Sequence, residues 1–363
     1  MKTFAIVLFA TLTSFEGIGQ QAYKTDSIQI AFLLDVSSSM DALIQKTKSQ
    51  IWRIGSYLGS ATKNGRKPSV EFSIIAYGFE DETESPKILI DFNSDLDSVV
   101  MKLYDIKTNG GNEYCWTTIS KALDTLNWSK AESDLKLIVI AGNESFNQEE
   151  VDAKKIVQQA KRLDVVINTI YCGSPDETDS EEWKNGAELA RGNYFIISME
   201  DSLSLQETFL DKKLVNFNDK FNATYIPFGA LGQKHCSRMQ LQDKSARVAG
   251  APFFRERMFY KSGNTFLNPT WDLVDAYSAD STIVEDAAIE KEFNLDAQSL
   301  KELIQDKSYT RESYREVIRL RYDMIRKYIG ENKADKDLDE GMRKIIDKEG
   351  RKRGFVFKDA GKL

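Results

Sequence analysis

The residues best suited to chemistry stand together in the octapeptide LLDVSSSM, residues 33–40, where Asp35 is followed by hydroxyls at Ser37 and Ser39. One carboxylate and two hydroxyls on a short loop make an oxygen-only donor set. Such a set suits a hard dication, Mg²⁺ first and Mn²⁺ or Ca²⁺ as alternatives, because Mg²⁺ takes octahedral oxygen and keeps several waters. The same residues also suit a helix N-terminus, with Ser37 or Ser39 as cap and Asp35 at the positive end of the helix dipole. On the residues alone both readings stand.

Composition removes most other chemistries. The 363-residue chain has a single histidine, His235, which rules out a His-rich zinc site and leaves no base for Ser-His-Asp or Cys-His catalysis. Its three cysteines, Cys115, Cys172 and Cys236, contain no CxxC pair, which disfavours a zinc finger or an iron–sulfur cluster. No G-x-G-x-x-G follows the first apolar run, and there is no Walker loop or G-x-S-x-G elbow. A formal charge of −7 argues against nucleic-acid binding. No catalytic residue and no organic cofactor are expected.

The elements that must position Asp35 follow from hydrophobic patterning. Residues 27–34 (SIQIAFLL) read as a strand buried on both faces, and 42–58 as a helix. Further strands are predicted at 70–78, 135–141, 165–171 and 192–197, with an edge or partner strand at 87–92. Helices are predicted at 95–106, 117–126, 149–163 and 181–190. This alternation predicts an α/β fold, a doubly wound and mostly parallel sheet over 27–200. Ligand sites in such sheets gather at the carboxyl ends of strands, where Asp35 falls. A closing helix is expected at 203–217, and the glycines and prolines of 224–261 read as an irregular stretch, with His235 and Cys236 in a loop. Residues 201–285 are therefore taken as an irregular extension packing on the first domain, and 286–363 as a mainly helical C-terminal tail. That tail, from 287, carries 19 basic and 16 acidic residues, most simply a solvated, salt-bridged helical surface.

The D-x-S-x-S loop after a buried strand resembles the metal-ion-dependent adhesion site (MIDAS) of the von Willebrand factor type A (vWA) domain. The resemblance covers about residues 27–200 and implies a Rossmann-like sheet with Asp35, Ser37 and Ser39 as metal ligands. In that family a Thr after a Gly-Gly turn and an Asp after a later strand complete the site. Here the turn reads NGGNEYCWTT, residues 109–118, and the later strand ends IAGNES, residues 140–145. Glu113 and Glu144 are the expected replacements, with Thr117 and Asn143 as possible additional ligands. The GGNEYC and AGNESF segments look like an exported bacterial subgroup of these domains. Trp116, beside the loop, reads as core packing or as a contact for a partner.

The N-terminus, MKTFAIVLFATLTSFEGIGQ, has the layout of a signal peptide over residues 1–20, so a periplasmic or secreted protein is expected. No stretch reaches the ~20 apolar residues of a membrane span. Export permits disulfides. Cys115 and Cys172, both expected at one edge of the sheet, are the candidate pair, and three reduced, packed thiols the alternative. The function these readings imply is metal-dependent adhesion or scaffolding, with a protein ligand supplying an acidic side chain and the oligomeric state left open. A metal-dependent hydrolase using the Asp35 cluster, or a scaffold with a vestigial metal site, are the alternatives.

Overall fold

A computed structural model of the chain describes residues 25–81, 85–197, 206–263, 266–330 and 338–357. The signal peptide expected at 1–20 lies outside the described residues. The strands β1 (Ser27–Asp35), β2 (Ser69–Tyr77), β3 (Lys87–Asn93), β4 (Leu135–Gly142), β5 (Val166–Cys172) and β6 (Tyr194–Ile197) form one sheet in the order β3-β2-β1-β4-β5-β6. All pairings are parallel except β2 with β3, which closes one edge antiparallel. Every residue of β1 is buried, as its unbroken apolar run requires of a central parallel strand covered on both faces.

Side-chain alternation splits the core in two. Ile28, Ile30, Phe32 and Leu34 pack under α1 (Asp41–Gly59) and α2 (Leu96–Asp105). Ala31 and Leu33 face α3 (Cys115–Thr125), α4 (Ala153–Leu163) and Trp183 of α5 (Thr178–Leu189). The helix expected from 149 begins at 153, where Asp152 accepts a hydrogen bond from the Lys155 amide and caps α4.

Beyond the sheet the chain is helical: α6 (Lys212–Asn222), α7 (Gly232–Ala249), α8 (Ala251–Lys261), α9 (Leu273–Ala279), α10 (Ala287–Phe293), α11 (Ala297–Ile329) and α12 (Leu338–Lys352). The stretch 224–261 is thus corrected from irregular to two helices. Gly250, at φ 133°, and Pro252 near the start of α8 mark the break between them. The closing helix expected at 203–217 is found, within the described residues, at 212–222.

What holds these helices is charge as much as apolar area. Arg255, Glu256, Arg257 and Lys261 of α8 are all fully buried. Glu256 takes Arg53 of α1 at 2.7 Å and the Tyr322 hydroxyl of α11 at 2.8 Å. Arg257 binds Asp97 of α2 and, at 3.1 Å, Asp243 of α7, which also receives Lys261 at 2.6 Å. Arg255 meets Asp211 at 3.2 Å, so each of these four buried charges has a partner, as desolvation demands.

The proposed disulfide is corrected as well. All three cysteines are buried free thiols. Cys115 sits in the core under α3, whereas Cys172, the last residue of β5, points into the core on the other face of the sheet. His235 and Cys236 belong to α7, where the His235 ring lies parallel to Trp271 at 6.5 Å. Trp116 is 3 % exposed and packs edge-on against Phe146, which makes it a core residue.

Candidate metal centre

Register brings the site together. Asp35 pairs with Tyr77 across β1 and β2, and Leu34 with Ala141 across β1 and β4, so three strands end level at one edge. Chain reversal there exposes the Asp35 carboxylate to the loops that follow β2 and β4.

The loop after β1 is folded by Asp35 itself, whose Oδ1 accepts the Ser37 amide at 2.7 Å. The hydroxyls of Ser37 and Ser39 lie 3.0 Å apart, and Ser39 Oγ donates to Asn143 Oδ1 at 3.0 Å. Neither serine side chain caps a helix: a short 3₁₀ turn intervenes, and Met40 occupies the cap position of α1. The capping alternative therefore does not account for these hydroxyls, whose hydrogen bonds stay within the cluster.

Glu113, from the turn before α3, enters beside Asp35. Its side chain is fully buried, and its backbone amide is fixed by Gln148 Oε1 at 2.9 Å. Asp35 Oδ2 and both Glu113 oxygens are buried with no hydrogen-bond donor. Burial pushes the Asp35 carboxyl above its ordinary range, against the proton that Glu113 can share with it and the hydrogen bonds from Ser37. Burial, then the Asp35 charge, raises Glu113 likewise. Two facing carboxylates with three unsatisfied oxygens call for a positive charge between them, either a shared proton or a cation.

The remaining expected ligands divide. Asn143 touches the cluster through Ser39. Glu144 stands exposed at the rim, where its carboxylate accepts from Gln148 Nε2 at 3.0 Å and its charge still raises both buried carboxyls. Thr117 is not brought in: its amide and hydroxyl both donate to Glu149, at 2.8 and 2.5 Å. Among the described residues, no three His, Cys, Asp or Glu side chains converge as a ready metal cage.

Two contributors were missed from sequence. Gly78, directly after β2, has φ +80°, and a Cβ there would lie 2.6 Å from Asp35 Oδ1 and 3.4 Å from Glu113 Cγ. Its glycine identity is what lets the two carboxyls approach. The glycine ending the strand AYG was the available signal. Gln148, which ties Glu113 to Glu144, gives no signal in sequence. Gly111 of the Gly-Gly turn is similarly constrained, since a Cβ would fall 1.9 Å from the Phe79 carbonyl oxygen.

No curated protein matches the chain. Among solved structures it is similar to the VWA domain of SpRpn10, at 15 % identity over 49 % of this chain and 90 % of that one, with a TM-score of 0.37. It is also similar to the conserved hypothetical protein BatB from Bacteroides thetaiotaomicron, at 15 % identity over 47 % and 90 % of the chains, TM-score 0.37. A third is proximal thread matrix protein 1 from the mussel byssus, in a form with a zinc-occupied MIDAS motif, at 14 % identity over 49 % and 43 %, TM-score 0.36. The sequence profile of the von Willebrand factor type A domain matches residues 29–210, which span β1 to β6 and the loops that carry Asp35, Glu113 and Asn143. The chain belongs to the von Willebrand factor type A domain family.

Proposed function

We propose that this is a non-enzymatic, exported protein whose type A domain holds a divalent cation and uses it to bind another protein. Type A domains commonly mediate metal-dependent protein interaction. The observation that carries the reading is the set of three unpartnered, buried carboxylate oxygens on Asp35 and Glu113 beside the Ser37–Ser39 hydroxyl pair. Asp35 and Glu113 would neutralise a dication, the two serines would add neutral oxygens, and waters would fill the remaining positions, as Mg²⁺ prefers. Asn143 and Glu144 would hold those waters from the rim. A partner's acidic side chain would then replace one water and complete the coordination of the cation. Export is supported by the leader-like residues 1–20, and no described helix is long and apolar enough to cross a membrane.

Titration calorimetry of the mature chain with Mg²⁺ and Mn²⁺, beside capture of partners from envelope extract, tests this. One bound ion per chain, abolished by Asp35→Ala, and capture lost in EDTA are expected. No ion binding, or capture indifferent to EDTA and to Asp35→Ala, would overturn it.

A further inference from the structure

The opposite pole of the sheet, at the amino ends of the strands, carries a second concentration of charge. There a cavity of about 860 Å³ opens between the type A domain and the end of α12. Six cationic side chains line it: Lys130, Lys136, Lys161, Arg162, Lys352 and Arg353. The acidic lining residues are Glu132 and Asp164.

The cations are not equivalent. Arg353 is paired with Asp164 at 3.0 Å, and Lys352 with Glu349 at 2.8 Å. Among the described residues, Lys130, Lys161 and Arg162 have no ion pair. Lys161 and Arg162 close the last turn of α4, where any helix favours positive charge. Lys136 has no such explanation. It is the second residue of β4, flanked by Leu135 and Leu137, and only 2 % exposed. Its ammonium makes one hydrogen bond, to the Ser129 carbonyl at 3.2 Å, and faces the charges of Asp164, Asp134 and Glu132 at longer range. Asp134 spends its own oxygens on the Ser27 amide and the Ser129 hydroxyl. A buried ammonium with two N–H groups to spare can offer them to an anion drawn into the cavity, which would offset its desolvation.

We propose that this cavity binds a phosphate-class anion, either free or carried on a small organic molecule, with Lys136 as its buried anchor and Lys161 and Arg162 as its outer clamp. Lysine ammoniums act as point charges converging from several directions, which suits a tetrahedral anion better than a planar carboxylate. The fork of Arg353 is already filled by a carboxylate. The volume exceeds one phosphate and suits a phosphorylated small molecule, and Leu126 and Trp128 supply an apolar wall for its organic part.

Calorimetry of the full mature chain, free of divalent metal, with pyrophosphate as probe and ionic strength held constant, tests the site. Saturable 1:1 binding is expected, at least tenfold weaker in Lys136→Met and in Arg162→Ser, and unchanged in Asp35→Ala. Lys136→Met removes a buried charge, so it is expected to fold; if it does not, the exposed Arg162→Ser decides alone. Citrate, of similar charge but planar carboxylates, is expected to bind more weakly. Heats no larger than those of matched NaCl, or binding indifferent to both substitutions, would overturn the proposal. Because the Asp35 centre lies at the other end of the sheet, failure here and failure of the metal reading are separately visible.

Discussion

Replacing Glu113 by Gln separates what the metal centre costs from what it does. Glu113 is fully buried, with neither oxygen hydrogen-bonded, and faces a second buried carboxyl at Asp35. Burial, then the Asp35 charge, holds its carboxyl above the usual range. A carboxyl raised in the folded state keeps its proton after the unfolded chain has lost it. Metal-free stability is therefore greatest at low pH and falls as pH rises from about 4, where an ordinary Glu ionises, through the raised native value. At pH 8 the folded chain still holds the Glu113 proton, because its native value lies at about 9, whereas the unfolded chain has lost it. Keeping that proton over the roughly 3–4 pH units between the ordinary value and pH 8 costs about 4–5 kcal/mol. An imperfectly satisfied buried amide returns about 1–3 kcal/mol of that. The Gln variant is thus expected to be more stable than the parent by about 1–4 kcal/mol at pH 8 without metal, each kcal/mol raising Tm by about 2–4 °C. Near pH 4 the difference disappears. In saturating Mg²⁺ the parent gains more, because at least a tenfold loss of affinity, about 1.4 kcal/mol, is expected when an anionic ligand goes. Urea unfolding at pH 4, 6 and 8, with and without Mg²⁺, measures all of this. A variant less stable than the parent in metal-free pH 8 buffer, or a difference that ignores pH, refutes the reasoning.

Other consequences are as direct. Gly78→Ala places a Cβ 2.6 Å from Asp35 Oδ1 at φ +80°, so it is expected to cost about 1–2 kcal/mol in backbone strain and to weaken ion binding, seen by calorimetry beside thermal unfolding. Glu144→Gln removes a rim charge that repels an acidic ligand, and faster partner association at low salt, measured by surface plasmon resonance, is expected. Glu256→Ala strips the carboxylate from buried Arg53 and the Tyr322 hydroxyl, and urea unfolding is expected to show a loss of about 3–5 kcal/mol. Because the three cysteines are free, all three are expected to react with a thiol reagent only after denaturation, and a reductant to leave Tm unchanged.

Much of the type A fold was legible because its strands are long apolar runs whose burial is dictated locally, β1 most of all. The first half of the site was legible for a similar reason, since Asp35, Ser37 and Ser39 are contiguous. Its second half was partly legible: Glu113 and Asn143 arrive at the cluster, Glu144 stops at the rim, and Thr117 is claimed by Glu149, an acceptor 32 residues away. The helices α7 and α8 were hidden because their buried faces are charged. A sequence such as FRERMFYK looks solvent-facing until Arg53, Asp97 and Asp243 are seen to meet it. The cysteine pairing failed on alternation: two residues near one edge of a sheet still belong to opposite cores if one sits on a covering helix and the other on the far side of a strand.

The ion pairs of α8 carry an evolutionary consequence. The family profile ends at residue 210, yet Arg53 and Asp97 inside it find their countercharges at Glu256 and Arg257 outside it. A fragment cut at that boundary would strand two charges on its surface and uncover the Trp52 side of α1. In this chain the type A unit is therefore no interchangeable cassette. A reversal of charge at residue 53 would survive only with a matching reversal at 256, so the two halves must diverge in step, and a relative lacking the tail should carry a different pair of residues at 53 and 97.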